Sequence, residues 1–163
     1  MLIYHGSDVI VENPEIISSN RFLDFGYGFY TTSNKDQAVN WCRRVCYRNN
    51  KNTGYVSIYE FDLKEAEENL SIKRFPIIAD QNWLDFVVEC RKGATHDYDI
   101  VIGPVADDNV YQTIRNLETG IYDFEYALKK LKSQNLKDQV LFHTVDSLKY
   151  IKFIDEIEVN LNE

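Results

Sequence analysis

The stretch DFGYGFYTTSNKDQAVNW, Asp24 to Trp41, carries the reading that decides the fold. Gly26 and Gly28 punctuate a run of aromatic residues, and glycine adopts backbone conformations closed to other residues, so the chain turns here. Phe29 to Thr32 is aromatic and β-branched and reads as a short strand. Ser33 or Asn34 then caps a helix to about Asn49, with Ala38, Trp41, Cys42 and Val45 as one buried stripe. Alternate side chains of a strand point to opposite faces. Phe25, Tyr27, Phe29 and Tyr30 therefore cannot all be buried together, and at least one should line a cleft.

Upstream, Met1 to His5 reads as an opening strand, and Ser7 to Gly28 is irregular, with Asn13 and Pro14 as turn formers. Downstream, Tyr55 to Phe61 alternates, with Tyr55, Ser57, Tyr59 and Phe61 on one face and Val56, Ile58 and Glu60 on the other, as a strand with one core face. Leu70 to Phe75 reads as a short strand. Asp80 caps a helix through Trp83, Leu84, Val87 and Val88 that Gly93 stops. Asp99 to Val105 reads as a buried strand interrupted by Gly103 and Pro104, after which Asp107 caps the next helix. Helices follow from about Asn109 to Asn116 and from Tyr122 to Gln134. Asp138 to His143 is a strand, Thr144 caps a short helix to Leu148, and Tyr150 to Ile154 is a last strand. This mixture, without strict βαβ alternation, predicts an α+β fold in a single domain over residues 1–163. No GxGxxG follows an early strand and no GxxxxGK[ST] occurs, which disfavours a doubly wound nucleotide fold.

Composition narrows the function classes. The chain is 44% hydrophobic and 27% charged with no low-complexity tract, as expected of a packed globule. The opening MLIYHGSDVIVENP lacks the basic and apolar regions of a signal peptide, and no apolar run approaches the ~20 residues a membrane span needs. With three cysteines in no CxxC pair, the expectation is a cytoplasmic protein, Cys42, Cys46 and Cys90 being structural. His5, His96 and His143 show no metal-ligand spacing to them, so no metal is expected. A net charge of −8 disfavours general nucleic-acid binding. The local cluster Arg43, Arg44, Arg48 and Lys51 reads as a solvated helix face or as the counterpart of an anionic ligand.

Three features carry candidate chemistry. In Tyr4-His5-Gly6-Ser7, a histidine at a strand end is followed by a glycine that lets the backbone approach a ligand. The aromatic loop around Gly26 and Gly28 offers flat side chains suited to a planar heterocycle. Gln139 places a polar side chain at the start of an otherwise apolar strand.

Together these residues resemble the His–Tyr–Glu arrangement of diphtheria-toxin-like ADP-ribosyltransferases. More closely, YHGS, DFGYGFYTT followed by QAVNW, and the late DQVLFHT look like a family of small uncharacterised bacterial proteins assigned to that superfamily. The resemblance spans nearly the whole chain. It implies a split antiparallel sheet with flanking helices, NAD lying as co-substrate in the cleft between the halves. On this resemblance His5 hydrogen-bonds a ribose hydroxyl, Gly6 offers backbone groups to the nicotinamide amide, and Tyr30 stacks on the nicotinamide ring. Tyr4 and Ser7 flank the first group; Phe25, Gly26, Gly28, Phe29 and Thr31 complete the NAD-binding set. Gln139 stands where the superfamily has its catalytic glutamate. A glutamine carries no charge, and one lost electrostatic contact costs about 10²–10³ in rate by analogy with a removed oxyanion donor. Either the enzyme is then slower or another carboxylate helps, with Asp24 and Asp138 as the candidates.

The implied activity is mono-ADP-ribosyl transfer to a protein or nucleic-acid acceptor, as the toxin of a toxin–antitoxin or phage-defence pair, with an antitoxin from a neighbouring gene as partner. A second reading is a non-catalytic NAD or ADP-ribose binding module. A third is an interaction protein that docks a partner through its aromatic loop.

Overall fold

The chain begins as an edge strand, β1 (Leu2–Ser7), and ends on a ten-residue strand in the same sheet. The computed structural model describes residues 1–19, 22–105 and 108–163, the side chain of Asp108 excepted. Asp107, expected as a helix cap, lies outside the described residues. The elements after β1 are β2 (Phe29–Thr31), α1 (Lys35–Arg48), β3 (Thr53–Phe61), α2 (Leu63–Asn69), β4 (Ile72–Arg74) and α3 (Gln81–Arg91). Then come β5 (Ile100–Pro104), α4 (Asp108–Glu118), α5 (Phe124–Lys132), β6 (Asp138–Phe142), a 3-10 helix (Asp146–Tyr150) and β7 (Ile151–Asn160). The fold is α+β, built on two sheets ordered β1-β3-β7 and β2-β6-β5-β4. Among the described residues the strand pairs are antiparallel except β4–β5, which is parallel. That one pair departs from the all-antiparallel expectation because α3 intervenes between β4 and β5, and a crossover returns a strand in parallel.

Side-chain chemistry explains the layers. Ile3, Tyr59 and Phe61 of the first sheet pack with Phe29, Ile100, Val140 and Phe142 of the second. The other face of the second sheet buries Val101 and Leu141 under Trp83, Leu84 and Val87 of α3 and Val110 and Ile114 of α4. Each such side chain contributes roughly 1.5–3 kcal/mol on burial. Trp83, fully buried, also donates its indole N–H to the Pro104 carbonyl at 3.0 Å.

Helix α1 covers the back of the first sheet. Asn34 caps it, accepting from Gln37 N at 2.9 Å. Its buried stripe is Ala38, Cys42 and Cys46, whereas Trp41 is 47% exposed and Val45 half-buried, contrary to the expected stripe. The reason is a narrow seam: a Cβ on Gly6 would lie 2.1 Å from the Ala38 carbonyl oxygen, and one on Gly54 would lie 2.4 Å from Cys46 Sγ. Only small side chains fit where helix and sheet approach so closely. Because α1 covers Val56 while Tyr59 and Phe61 face the other sheet, β3 is buried on both faces rather than one.

Three further differences have local causes. Helix α2 was not anticipated, since LKEAEEN buries only Ala66 and has no apolar stripe; Asp62 caps it, accepting from Glu65 N at 3.0 Å. β7 runs to Asn160, past the expected Ile154, because the register against β3 shifts there and Asp155 and Glu156 interrupt the apolar alternation. The short helix expected after Thr144 is 3-10 and begins at Asp146, with Thr144 Oγ1 accepting from Ser147 N at 3.3 Å.

Candidate functional site

Among the described residues, one backbone rung joins the two sheets. Tyr4 N donates to Thr32 O at 2.8 Å and Thr32 N donates to Tyr4 O at 3.0 Å, an isolated antiparallel bridge between β1 and the end of β2. The same register continued one rung further would face Gly6 with Tyr30. That rung is not made: no bridge joins them, and Tyr30 O instead accepts the Nδ1–H of His5 at 2.7 Å. Backbone groups of a strand point alternately to its two sides. Gly6 shares the parity of Tyr4, so its N–H and C=O aim away from β3 and into the opening. Tyr30, sharing the parity of Thr32, aims its N–H into the same opening. The edge thus offers two donors and one acceptor of main-chain origin where the sheets part.

His5 stands at this opening with its ring 4.4 Å from that of Phe29. A carbonyl only accepts, so Nδ1 carries the proton, and burial pushes the pKa of the ring below 6.5. His5 is therefore neutral near pH 7, with the Nε2 lone pair as an acceptor.

The aromatic loop closes one side. Gly26 and Gly28 have φ of +83° and +143°, the conformations that the sequence demanded of glycine here. Each carbonyl from Phe25 to Tyr27 is held by a side chain. Phe25 O accepts from His96 Nε2 at 2.8 Å, Gly26 O from the Tyr30 hydroxyl at 2.5 Å, and Tyr27 O from His143 Nδ1 at 2.8 Å. The rings of His96 and His143 lie 4.2 Å apart and Tyr27 lies 4.4 Å from His143. His96 Nδ1 accepts from Tyr98 N at 3.2 Å, so this ring is neutral and fully engaged; burial lowers its pKa. The Tyr30 hydroxyl also accepts from Phe25 N at 3.0 Å, and burial raises its pKa well above 10.

On the face of the second sheet that carries Tyr30, the next polar side chain is Gln139, one diagonal step away across the β2–β6 register. Gln139 is only 6% exposed. Its Nε2 donates to Asp24 Oδ2 at 3.1 Å and to Pro104 O at 3.3 Å; both are acceptors, which fixes the amide orientation and leaves Oε1 as its acceptor end. Asp24 is buried as well, with Arg91 Nη1 3.5 Å from Oδ1. The Arg91 guanidinium lies 4.4 Å over the Tyr111 ring. Burial and the Asp24 charge push the Tyr111 hydroxyl up to about 12 and the Cys90 thiol up to about 12.

The sequence-derived residues thus divide. His5 and Gly6 flank the opening with the Tyr30 backbone, while the Tyr30 side chain, Asp24 and Gln139 lie on the adjoining face of the second sheet. Phe25, Phe29 and Thr31 do not face a cleft but sit in the core, Thr31 Oγ1 donating to Val140 O at 3.1 Å. Tyr27 and Tyr30 are the half-buried members of the aromatic run. Tyr4 acts through its backbone bridge, and Ser7 lies beyond the opening, its carbonyl accepting from Cys42 Sγ at 3.1 Å. Asp138 does not approach Gln139's amide. Its Oδ1 accepts from Thr32 Oγ1 at 3.0 Å and Ser33 N at 3.1 Å, tying β6 to the start of α1. Arg91, Tyr111, His96 and His143 were missed, because their roles rest on contacts with residues far away in sequence. Among the described residues no group of three or more His, Cys, Asp or Glu side chains is placed to hold a metal ion, and no helix is long and apolar enough to cross a membrane.

A family model matches residues 1–153, from β1 into β7. The chain belongs to DUF3990, a family of proteins of unknown function. Comparison with curated proteins and with solved structures returned no match. The span of the DUF3990 match takes in the parted rung, the histidine-held loop and the Asp24–Gln139 pair alike.

Proposed function

We propose that this DUF3990 protein is a cytoplasmic NAD-dependent mono-ADP-ribosyltransferase, acting as the toxin of a toxin–antitoxin or phage-defence pair. The observation that carries the reading is the parted rung between Gly6 and Tyr30. A primary amide needs one acceptor for its N–H and one donor for its oxygen. Gly6 supplies both, with the Tyr30 N–H beside it. The neutral His5 ring adds a neighbouring lone pair suited to a ribose hydroxyl. NAD supplies the ribose–nicotinamide bond, whose cleavage builds positive charge on the ribose.

Gln139 and Asp24 answer that charge as a pair. Gln139 Oε1 accepts a hydrogen bond from the ribose hydroxyl, while its Nε2 donates to the Asp24 carboxylate, which brings negative charge to within one side chain of the reacting centre. Preorganised negative charge of this kind stabilises the transition state more than the ground state. The resemblance of YHGS and DFGYGFYTT to the ADP-ribosyltransferases supports the same reading. The test is nicotinamide release from NAD by the purified protein. Release is expected from the wild type and should fall at least tenfold in His5→Ala and Gln139→Ala. Turnover unchanged in both variants would sink the proposal.

One observation favours the second reading, a non-catalytic NAD or ADP-ribose module. Arg91 lies 3.5 Å from Asp24 and offsets the charge that catalysis would use. Tight NAD binding without nicotinamide release, in the presence of a macromolecular acceptor, would decide for it.

A further inference from the structure

The outer face of α1 and the turn after it concentrate cations on a chain of net charge −8. Arg43, Arg44, Arg48 and Lys51 are exposed there, and Tyr47 between them is 84% exposed. Two hollows of about 600 Å³ and about 420 Å³ share Tyr47 and Leu161 in their walls. The larger is lined by Tyr47, Arg48, Asn50, Lys51, Asn52 and Leu161; the smaller by Arg43, Arg44, Tyr47 and Leu161. No carboxylate lines either one. Asp8, which lies close by, is engaged by Asn49 Nδ2 at 3.1 Å.

We propose that this face binds single-stranded polynucleotide, with phosphates on Arg43, Arg48 and Lys51 and a base stacked on Tyr47. An acidic peptide would need the cations alone. An exposed aromatic ring that walls both hollows, beside the donor-and-acceptor amides of Asn50 and Asn52, fits bases as well as phosphates. A duplex keeps its bases stacked on each other and leaves none for Tyr47, so the ring selects unpaired strands. The inner face of α1 seats Gly6, so a strand bound outside lies about one helix diameter, roughly 10 Å, from the parted rung. Resting on the transferase reading, this makes a single-stranded polynucleotide the ADP-ribose acceptor.

The test is fluorescence anisotropy of labelled oligothymidylate and oligouridylate, about 12 nucleotides long, the length of a single-strand site. Three phosphate contacts predict a slope of log affinity against log salt of about −2. Tyr47→Ala should weaken binding about tenfold, by loss of one stacked base, and Arg48→Ala should lower the slope by about 0.7. Which of the two strands binds tighter separates a DNA from an RNA acceptor. No binding of either strand at about 50 mM salt, equal binding of duplex, full competition by polyglutamate, or unchanged affinity in Tyr47→Ala would each overturn the proposal. The titration contains no NAD, so its failure leaves the transferase reading standing. Conversely, His5→Ala should bind the strand normally even where NAD turnover is lost.

Discussion

The loop Asp24–Tyr30 and the outer face of α1 handle polar groups in opposite ways. In the loop nearly every polar atom is committed: three successive carbonyls are held by His96, Tyr30 and His143, and Asp24 is held by Gln139 and Arg91. On α1 the cations and Tyr47 stand exposed to solvent. A buried polar group without a partner costs far more than an exposed one, so the first region fixes a geometry while the second holds its charge at the surface. The difference teaches where substitutions should register as lost stability and where as lost binding alone.

Gly6→Ala should show the largest stability loss. The added methyl meets the Ala38 carbonyl at 2.1 Å and the Cys42 amide nitrogen at 2.7 Å, backbone atoms that no rotamer change can move. A loss of about 3 kcal/mol by denaturant unfolding is expected, the upper end for overpacking. Asp24→Ala should follow closely, because it leaves Arg91, largely buried, beside an apolar gap; about 3 kcal/mol is the scale for breaking such a pair.

Gln139→Glu sharpens the contrast between this chain and the His–Tyr–Glu pattern. Asp24 sits 3.1 Å from Gln139 Nε2, so a glutamate would put two buried carboxylates together. One of them must then stay protonated, its pKa raised. The variant should be less stable than wild type at pH 7, by about 2 kcal/mol, and should recover as pH falls toward 5. A stable Gln139→Glu variant that releases nicotinamide faster than wild type at pH 7 would show that Asp24 does not share the site. Gln139 and Asp24 are complementary: the amide is what lets the carboxylate be there.

A smaller effect concerns pH. The folded-state pKa values of His5 and His96 lie below 6.5, both lowered by burial. Their contribution to stability is complete above about 6.5 and is lost as pH falls through the folded values. The melting temperature should therefore drop between pH 7 and pH 5, and drop less in His96→Gln, which keeps a donor for Phe25 O without a titrating ring. The smallest effect is expected on α1, where Tyr47→Ala should leave stability within about 0.5 kcal/mol of wild type.

Local signals carried most of the architecture. Asn34 and Asp80 announce α1 and α3 by capping chemistry that acts within four residues, and each accepts from the backbone as anticipated. The glycines of the aromatic loop were readable for the same reason, since positive φ is a local demand. What escaped is non-local. Trp41 looked buried by periodicity, yet the seam set by Gly6 and Gly54 admits only Ala38, Cys42 and Cys46. Asp24 was named as a carboxylate that could assist Gln139 and lies against it; Asp138, its equal in the sequence, is spent on Thr32 and Ser33. The two loop-holding histidines and Arg91 find their partners across 67 or more positions, which no pattern along the chain reveals.

The most direct test of the parted rung is a nicotinamide titration followed by backbone amide chemical shifts. The account predicts the largest shifts at the Gly6 and Tyr30 amides, with those of Tyr4 and Thr32, already bonded to each other, moving little. Shifts absent from Gly6 and Tyr30, or centred on another part of the molecule, would contradict it.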